Sequence, residues 1–275
     1  MQDLTGLLQR PEPLIMGILN VTPDSFSDGG AHASIDEAVS SALKMVQQGA
    51  DIIDVGGEST RPGAAPVSVS EELDRVMPVI EKIKRHSGVP VSVDTSSPEV
   101  MSEAAEIGIA MVNDVRALSR QGAMEIVAAH HLHACLMHMQ GQPGSMQQDP
   151  RYTDVVDDIN LFFKSAVQRC CLAGISRSRL IVDPGFGFGK TYQHNLTLVN
   201  RLAEFKVHGL PVMVGLSRKS TLSRIADDVI AGSVGGNIMA FLGGAKILRV
   251  HDVEQTLSAL RVVTEILRSG EEDEN

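Results

Sequence analysis

Four polar residues, Asp94, Asn113, Asp183 and Lys219, each follow a short apolar run and could together bind a polar heterocycle. Carboxylate and amide groups match the N–H donors and ring nitrogens of a guanidine-like ring edge, and a lysine adds a charged donor. These residue types predict a pocket for a flat, nitrogen-rich ligand.

A second set of residues has the chemistry of an anion site. Arg61, Arg249 and His251 supply cationic donors suited to phosphate, and the last two are two positions apart, so they share one face of a strand. Asn20 ends another apolar run, and its carbonyl oxygen suits Mg²⁺ already carried by phosphate oxygens. The sequence therefore predicts a phosphate-bearing ligand accompanied by Mg²⁺.

The glycine-rich segment 185–190 (GFGFGK) is not a nucleotide phosphate-binding loop. That motif needs a glycine five positions before its Gly-Lys pair, where Pro184 stands instead. The three glycines indicate a tight loop whose backbone can approach a flat ligand. Phe186 and Phe188 in this loop, and Phe26 in an earlier one, are placed to lie against such a ligand.

The elements that must position these residues form a repeating pattern. Eight short runs rich in Val, Ile, Leu and Met, each followed by a helix-like segment, are typical of buried parallel strands. Eight such units predict an α/β fold, a single (β/α)₈ TIM barrel, with an open doubly wound sheet as the alternative. The predicted strands span 14–20, 51–57, 90–95, 110–115, 134–139, 180–184, 211–216 and 246–252.

A barrel would gather these polar residues, because barrel active sites lie at the carboxyl ends of the strands. Polar groups are costly to bury without partners, and loop capping explains one or two of them but not the whole set. Two further strand-end residues stay open. Asp54 has a structural or a functional role, and His138 contacts a ligand or belongs to the core.

Length and composition narrow the class of protein. The 275 residues fit one domain, 1–275, with an N-terminal extension, 1–12, and a disordered acidic tail, 271–275. A net charge of −10 and 3% aromatic residues argue against nucleic acid and anionic membranes as partners. Three cysteines without CxxC spacing, no signal-peptide pattern and no long apolar run predict a cytoplasmic protein without structural zinc or disulfides.

At these residues the sequence resembles the dihydropteroate synthases, the folate-pathway enzymes that sulfonamides block. The matching segments follow the family's order over nearly the whole chain, which is far more specific than a lone glycine motif. They are 17–30 (GILNVTPDSFSDGG), 51–64 (DIIDVGGESTRPGA), 91–100 (VSVDTSSPEV), 113–119 (NDVRALS), 136–143 (LMHMQGQP), 183–190 (DPGFGFGK), 215–220 (GLSRKS) and 249–253 (RVHDV).

The resemblance implies a barrel, usually a homodimer, that joins 6-hydroxymethyl-7,8-dihydropterin diphosphate to 4-aminobenzoate with Mg²⁺ and releases pyrophosphate. It implies a dissociative reaction, with Asp94, Asp183, Lys219, Arg249 and His251 in catalysis. The implied pterin residues are Asp94, Asn113, Asp183, Lys219, Gly215 and Met137; the diphosphate residues are Asn20, Arg61, Arg249 and His251, with Asn20 also at the metal; the 4-aminobenzoate residues are Thr60, Phe26, Pro62, Phe188 and Ser220.

One region departs from the family pattern. The connection 221–232 is several residues shorter than usual, and Gly235 and Gly236 fall inside the helix after it. The seventh and eighth helices commonly contribute to the family's dimer face, so this departure concerns dimer geometry rather than catalysis.

Two other functions suit a pterin-binding barrel: methyl transfer to a corrinoid protein, and pterin binding without catalysis. The segments STRPGA, SRKS and RVHD favour the synthase, because they serve diphosphate and aminobenzoate, which methyl transfer does not need. The presence of the anion-site residues argues against a non-catalytic paralogue.

Overall fold

A parallel sheet closed on itself organises the computed structural model, which describes residues 3–22, 30–58, 67–142 and 144–272. Phe26, Thr60, Arg61 and Pro62, named above as site residues, lie outside the described residues. The strands in the described part are β1 Leu14–Asn20, β2 Ile52–Gly56, β3 Val91–Asp94, β4 Met111–Asp114, β5 His133–Met137, β6 Leu180–Asp183, β7 Met213–Val214 and β8 Ile247–Val250.

The strand order confirms the predicted barrel. The eight strands run β6-β5-β4-β3-β2-β1-β8-β7, and all neighbouring strands are parallel. A parallel bridge between Val182 and Val212, with the Val182 N–H donating to the Pro211 carbonyl at 3.0 Å, joins β6 to β7. An open doubly wound sheet would leave these two edges apart, so that alternative is wrong.

Helices surround the sheet and follow the strands in sequence. Asp154 and Asp228 cap two of them by accepting backbone N–H groups, and Pro98 occupies the first turn of a third. The described helices are α1 Leu4–Leu8, α2 Gly30–Gln47, α3 Val69–His86, α4 Pro98–Ile107, α5 Ala123–Ala129, α6 Val155–Leu172, α7 Tyr192–Asn200, α8 Ser220–Ser223, α9 Val229–Leu242 and α10 Val253–Glu272, and none has the length and hydropathy to cross a bilayer.

Every second residue of a strand faces the barrel interior, and these inward residues form an apolar lower layer and a polar upper layer. In β2, Ile53 and Val55 pack outward against the helices, whereas Ile52 and Asp54 belong to the opposite face. Leu4 and Leu7 of α1 pack beneath the lower layer, so the N-terminal extension covers the bottom of the barrel. The lower layer contains Leu14, Met16, Ile52, Met111, Cys135, Ile181, Met213 and Ile247.

Of the two segments that the sequence singled out in this part of the chain, the tail differs from expectation and the two glycines lie inside a helix as expected. Helix α10 continues to Glu272, two residues into the predicted disordered tail, because glutamate is a good helix former. In α9, a Cβ on Gly236 would lie 2.9 Å from Leu222 Cδ1, whereas Gly235 has nothing within 4 Å. Gly236 therefore permits close packing of α8 on α9.

Candidate active site

Strand register places the predicted residues in one row at the carboxyl ends of the strands. A Cβ on Gly56 would lie 3.4 Å from Asp94 Cβ and 3.8 Å from Asn20 Oδ1, so the glycine leaves open the space between these side chains. The paired positions are Asn20 with Gly56, Gly56 with Asp94, Asp94 with Asn113, and Met137 with Asp183.

Arg249 lies between two carboxylates at the top of the barrel. Its Nε donates to Asp54 Oδ2 and its Nη2 to Asp94 Oδ2, each at 2.6 Å. The side chains of Asp54, Asp94 and Arg249 are 0%, 13% and 19% exposed, respectively. The sequence placed Arg249 with the diphosphate and Asp94 with the pterin, but the structure joins the two residues directly.

Asp54, whose role the sequence left open, is the residue that holds this group together. Its Oδ2 accepts from Asn113 Nδ2 at 3.0 Å as well as from Arg249. Its Oδ1 is buried and has no hydrogen-bond partner among the described residues. The sequence feature that indicates this role is the position of Asp54 two residues before Gly56, on the inward face of β2.

One guanidinium shared by two buried carboxylates leaves negative charge in excess. Burial, opposed by Arg249 and assisted by nearby Asp54, raises the pKa of Asp94 to about 7. The same two carboxylates raise the pKa of Arg249 above its ordinary value, against the effect of burial. Asp94 therefore changes charge near neutral pH, whereas Arg249 stays cationic.

Asp183 and Lys219 form the other half of the site. Asp183 Oδ1 accepts from the Gly185 N–H at 2.7 Å, and burial raises the pKa of Asp183. Lys219 Nζ donates to the Phe186 carbonyl and lies 4.5 Å from the centre of the Phe188 ring. Burial lowers the pKa of Lys219 to about 8, while Asp183 opposes that shift.

The two aromatic residues of the glycine-rich loop have different positions. Phe188 is half-buried beside Lys219, as expected of a residue that contacts a ligand. Phe186 is buried in the core between strands and helices, so the expectation that its ring lies against a ligand is wrong. Residues two apart share a face in an extended chain, but Gly187 between them has a φ of 85°, so the chain turns there and the two rings separate.

The segment after β7 supports the segment after β8. The Ser217 hydroxyl accepts from the His251 N–H at 3.2 Å and lies 3.1 Å from His251 Nδ1, which orients the imidazole. Arg218 forms a two-point ion pair with Asp252, at 2.6 and 3.1 Å. These contacts hold Ser217 and Arg218, and so the segment that leads into Lys219 and Ser220, the first residue of α8.

Three of the remaining predicted residues line this mouth. A Cβ on Gly215 would lie 3.9 Å from Arg249 Cβ, and one on Gly185 would lie 3.3 Å from Met137 Cγ. Asn20 is exposed at the end of β1.

The donor set fits an ion held mostly by its ligand. No group of three or more His, Cys, Asp or Glu residues suited to a metal occurs in the described part of the chain. Asn20 offers a carboxamide oxygen, a hard ligand that can complete the shell of Mg²⁺ brought in by phosphate oxygens.

Comparisons with known proteins identify the family of the chain. The profile of the Pterin binding enzyme family matches residues 16–251. Dihydropteroate synthase of Escherichia coli (strain K12) is 51% identical over 96% of this chain and 95% of its own. The Xanthomonas albilineans dihydropteroate synthase with 4-aminobenzoic acid is similar at TM-score 0.88 and 45% identity, covering 94% of each chain.

A second Xanthomonas albilineans dihydropteroate synthase structure, in complex with 7,8-dihydropteroate, has a TM-score of 0.85 and 42% identity over 94% of each chain. These likenesses span nearly all of the chain. The chain therefore belongs to the dihydropteroate synthases, transferases within the pterin binding enzyme family.

Proposed function

We propose that the chain joins 6-hydroxymethyl-7,8-dihydropterin diphosphate to 4-aminobenzoate and releases pyrophosphate. The observation that carries this proposal is the position of Arg249 between Asp54 and Asp94. It places a guanidinium that can bind the diphosphate directly beside carboxylates that can bind the pterin. Relatives crystallised with 4-aminobenzoic acid and with 7,8-dihydropteroate support the substrate class.

The pterin occupies the polar row in this proposal. Asp94 and Asp183 accept from its ring N–H groups, while Asn113 and Lys219 donate to its acceptors. Asn113 already donates one amide N–H to Asp54, and this bond fixes the orientation of the amide. Met137 and Gly215 border the ring plane.

The diphosphate draws Arg249 away from one of its carboxylates. When the anion binds, the guanidinium donates to phosphate oxygens, and Asp94 becomes available to the pterin. Asp54 keeps its contact with Arg249 and holds it in place. His251 and Asn20 complete this group, and Mg²⁺, which Asn20 would help to hold, would supply positive charge that stabilises the leaving diphosphate.

The proposed chemistry is a dissociative substitution at the pterin methylene. The C–O bond breaks and its electron pair leaves with the diphosphate, whose charge Arg249 and His251 stabilise. Asp94 and Asp183 supply negative potential beside the resulting cation. The amine nitrogen of 4-aminobenzoate then bonds to the methylene carbon, and the resulting anilinium releases one proton to solvent. Because that proton is acidic, positioning of the amine matters more than a strong base.

The second substrate lies against Phe188 and Ser220 in this scheme. Phe188 is next to Lys219, and Ser220 begins α8, so both face the edge of the pterin pocket. Thr60, Pro62 and Phe26 are proposed to complete the aminobenzoate site and Arg61 the diphosphate site.

A direct assay tests the proposal. Purified protein is mixed with the dihydropterin diphosphate, 4-aminobenzoate and Mg²⁺, and pyrophosphate and dihydropteroate are measured together. Equal amounts of both products are expected, and no dihydropteroate without 4-aminobenzoate. Pterin binding without either product would instead assign the chain to the non-catalytic alternative.

Lys219 should set the alkaline limb of the pH profile. With a pKa of about 8, its ammonium deprotonates as the pH rises, and the pterin then loses a charged donor. We therefore expect kcat/KM to decline above about pH 8, and Lys219→Arg to remove this decline because guanidinium stays protonated. An identical alkaline limb in Lys219→Arg would assign it to another group.

We also propose that the chain works as a cytoplasmic homodimer. Met239 and Leu242 of α9 and Val262 and Ile266 of α10 are more than half exposed, at helical spacing on two neighbouring helices. Such an apolar face is typical of a surface that a partner covers.

Ile266→Asp should therefore produce monomers, because it places a charge in the dimer interface. Leu172→Asp is the matched control, since Leu172 is 81% exposed on α6 and lies outside this face. Analytical ultracentrifugation should show a dimer for the parent chain and for the control. A dimer that survives Ile266→Asp at micromolar concentration would refute this interface.

A further inference from the structure

Lys190, the last residue of the glycine-rich loop, is a buried lysine without a role in the proposed chemistry. It is 2% exposed, and no carboxylate of the described residues forms an ion pair with it. Its Nζ contacts His138 Nδ1 at 3.0 Å, the His138 carbonyl at 3.3 Å and the Phe188 carbonyl at 2.9 Å.

These three contacts satisfy the amino group completely. An ammonium donates to all three acceptors, and a neutral amine donates to the two carbonyls and accepts from His138 Nδ1–H. Burial lowers the pKa of Lys190 well below its ordinary value. A buried lysine with a full set of partners restrains the groups it contacts, because releasing any of them leaves a buried polar group unpaired.

The groups that Lys190 joins belong to two different strand-end segments. His138 follows β5, and Phe188 lies in the loop after β6. The backbones of these segments are in close contact, because a Cβ on Gly185 would overlap the His138 carbonyl and one on Gly189 would overlap the Gln140 carbonyl. Lys190 thus links the loop after β6 to the segment after β5, where the two backbones approach so closely that only glycine fits.

The fastened loop carries the groups that contact Lys219. Phe188 places its ring 4.5 Å from Lys219 Nζ, while its own carbonyl is held by Lys190. Phe186 supplies the carbonyl that accepts from Lys219. The loop thus supplies both partners of Lys219, and Lys190 directly holds the one at Phe188.

We propose that Lys190 is a positioning residue that fixes Phe188 against Lys219 and thereby sets the affinity for the aromatic amine substrate. This inference rests on the proposed function, in which Phe188 borders 4-aminobenzoate. The same contacts assign His138 to the support of the loop rather than to a ligand, which answers the question left open by the sequence.

Other contacts limit how far the loop moves when Lys190 is lost. Asn195 Oδ1 accepts from the Gly187 N–H at 2.7 Å, and the Tyr152 hydroxyl donates to the Gly189 carbonyl at 2.7 Å. Neither reaches the Phe188 carbonyl. The expected defect is therefore a misplaced Phe188 within a loop that keeps its general position.

Lys190→Met tests the proposal, because methionine has a similar length and no hydrogen-bonding amine. We expect KM for 4-aminobenzoate to rise about tenfold while kcat falls less than about threefold, since the chemistry at the pterin methylene is untouched. Steady-state kinetics with each substrate varied in turn separates the two parameters. The parent chain is assayed first, and no product from it would reject the proposed function rather than this inference.

A double-mutant cycle decides whether Lys190 acts through Phe188. In a Phe188→Leu background, Lys190→Met should change KM for 4-aminobenzoate by less than about twofold. Full additivity of the two changes, or an unchanged KM in folded Lys190→Met, would overturn the proposal.

His138→Phe provides a milder second variant. It keeps the ring that packs edge-on against Phe162 at 4.9 Å and removes only the Nδ1 contact. We expect KM for 4-aminobenzoate to rise about threefold with kcat retained. If Lys190→Met fails to fold, an unchanged KM in His138→Phe overturns the inference.

Discussion

Replacing Arg249 with methionine is expected to lower kcat by about a thousandfold, the loss typical when a group that stabilises transition-state charge is removed. In this chain the loss has a second source. Asp54 and Asp94 would face each other without the cation that now contacts both at 2.6 Å. Pyrophosphate release at saturating substrates measures the effect.

Two further variants separate these causes. Arg249→Lys keeps the charge but cannot bridge both carboxylates, so we expect it to recover only part of kcat. Arg249→Met should lower the free energy of unfolding, because it leaves two buried carboxylates without their cation. Adding Asp54→Asn removes one of these two charges and restores the net charge of the parent group, so the free energy of unfolding should recover while kcat stays low. A folded Arg249→Met enzyme with more than about a tenth of the parent kcat would contradict the role given to Arg249.

Asp94→Asn should lower kcat/KM at neutral pH by about a hundredfold, because the pterin loses a carboxylate acceptor and the developing cation loses a negative neighbour. It should also change the shape of the pH profile. With its pKa raised to about 7, Asp94 gains a proton as the pH falls below neutrality, so kcat/KM of the parent enzyme should decline there.

The variant cannot titrate at this position, so its kcat/KM should be flat over the same acidic range. Kinetics of both proteins from about pH 5.5 to about pH 8 provide the comparison. Asp183→Asn serves as the matched control, since it removes a carboxylate at the end of another strand, β6, and leaves Asp94 free to titrate. An acidic limb that persists in Asp94→Asn would show that another group causes it.

The sequence was sufficient to predict the barrel and the row of polar residues at its mouth. Asp94, Asn113 and Asp183 end short apolar runs, and parallel strands in register must bring such ends together. The family resemblance is confirmed by the comparisons, and it follows the same strand-end segments.

Side-chain partnerships were not predictable in the same way. Arg249 contacts Asp54 and Asp94 across a closed barrel, and no local pattern in the sequence encodes which inward-facing groups will meet. Phe186 and Phe188 are two residues apart in one loop, yet one is in the core and the other at the mouth. The covering of the barrel bottom by Leu4 and Leu7 likewise depends on tertiary packing.

A crystal structure of the enzyme with Mg²⁺, pyrophosphate and the dihydropterin tests most directly whether Arg249 exchanges partners. We predict that its guanidinium donates to pyrophosphate oxygens at about 3 Å, keeps Asp54, and leaves Asp94 to accept from the pterin. If Arg249 remains bound to both carboxylates while pyrophosphate lies elsewhere, the account of this site is contradicted.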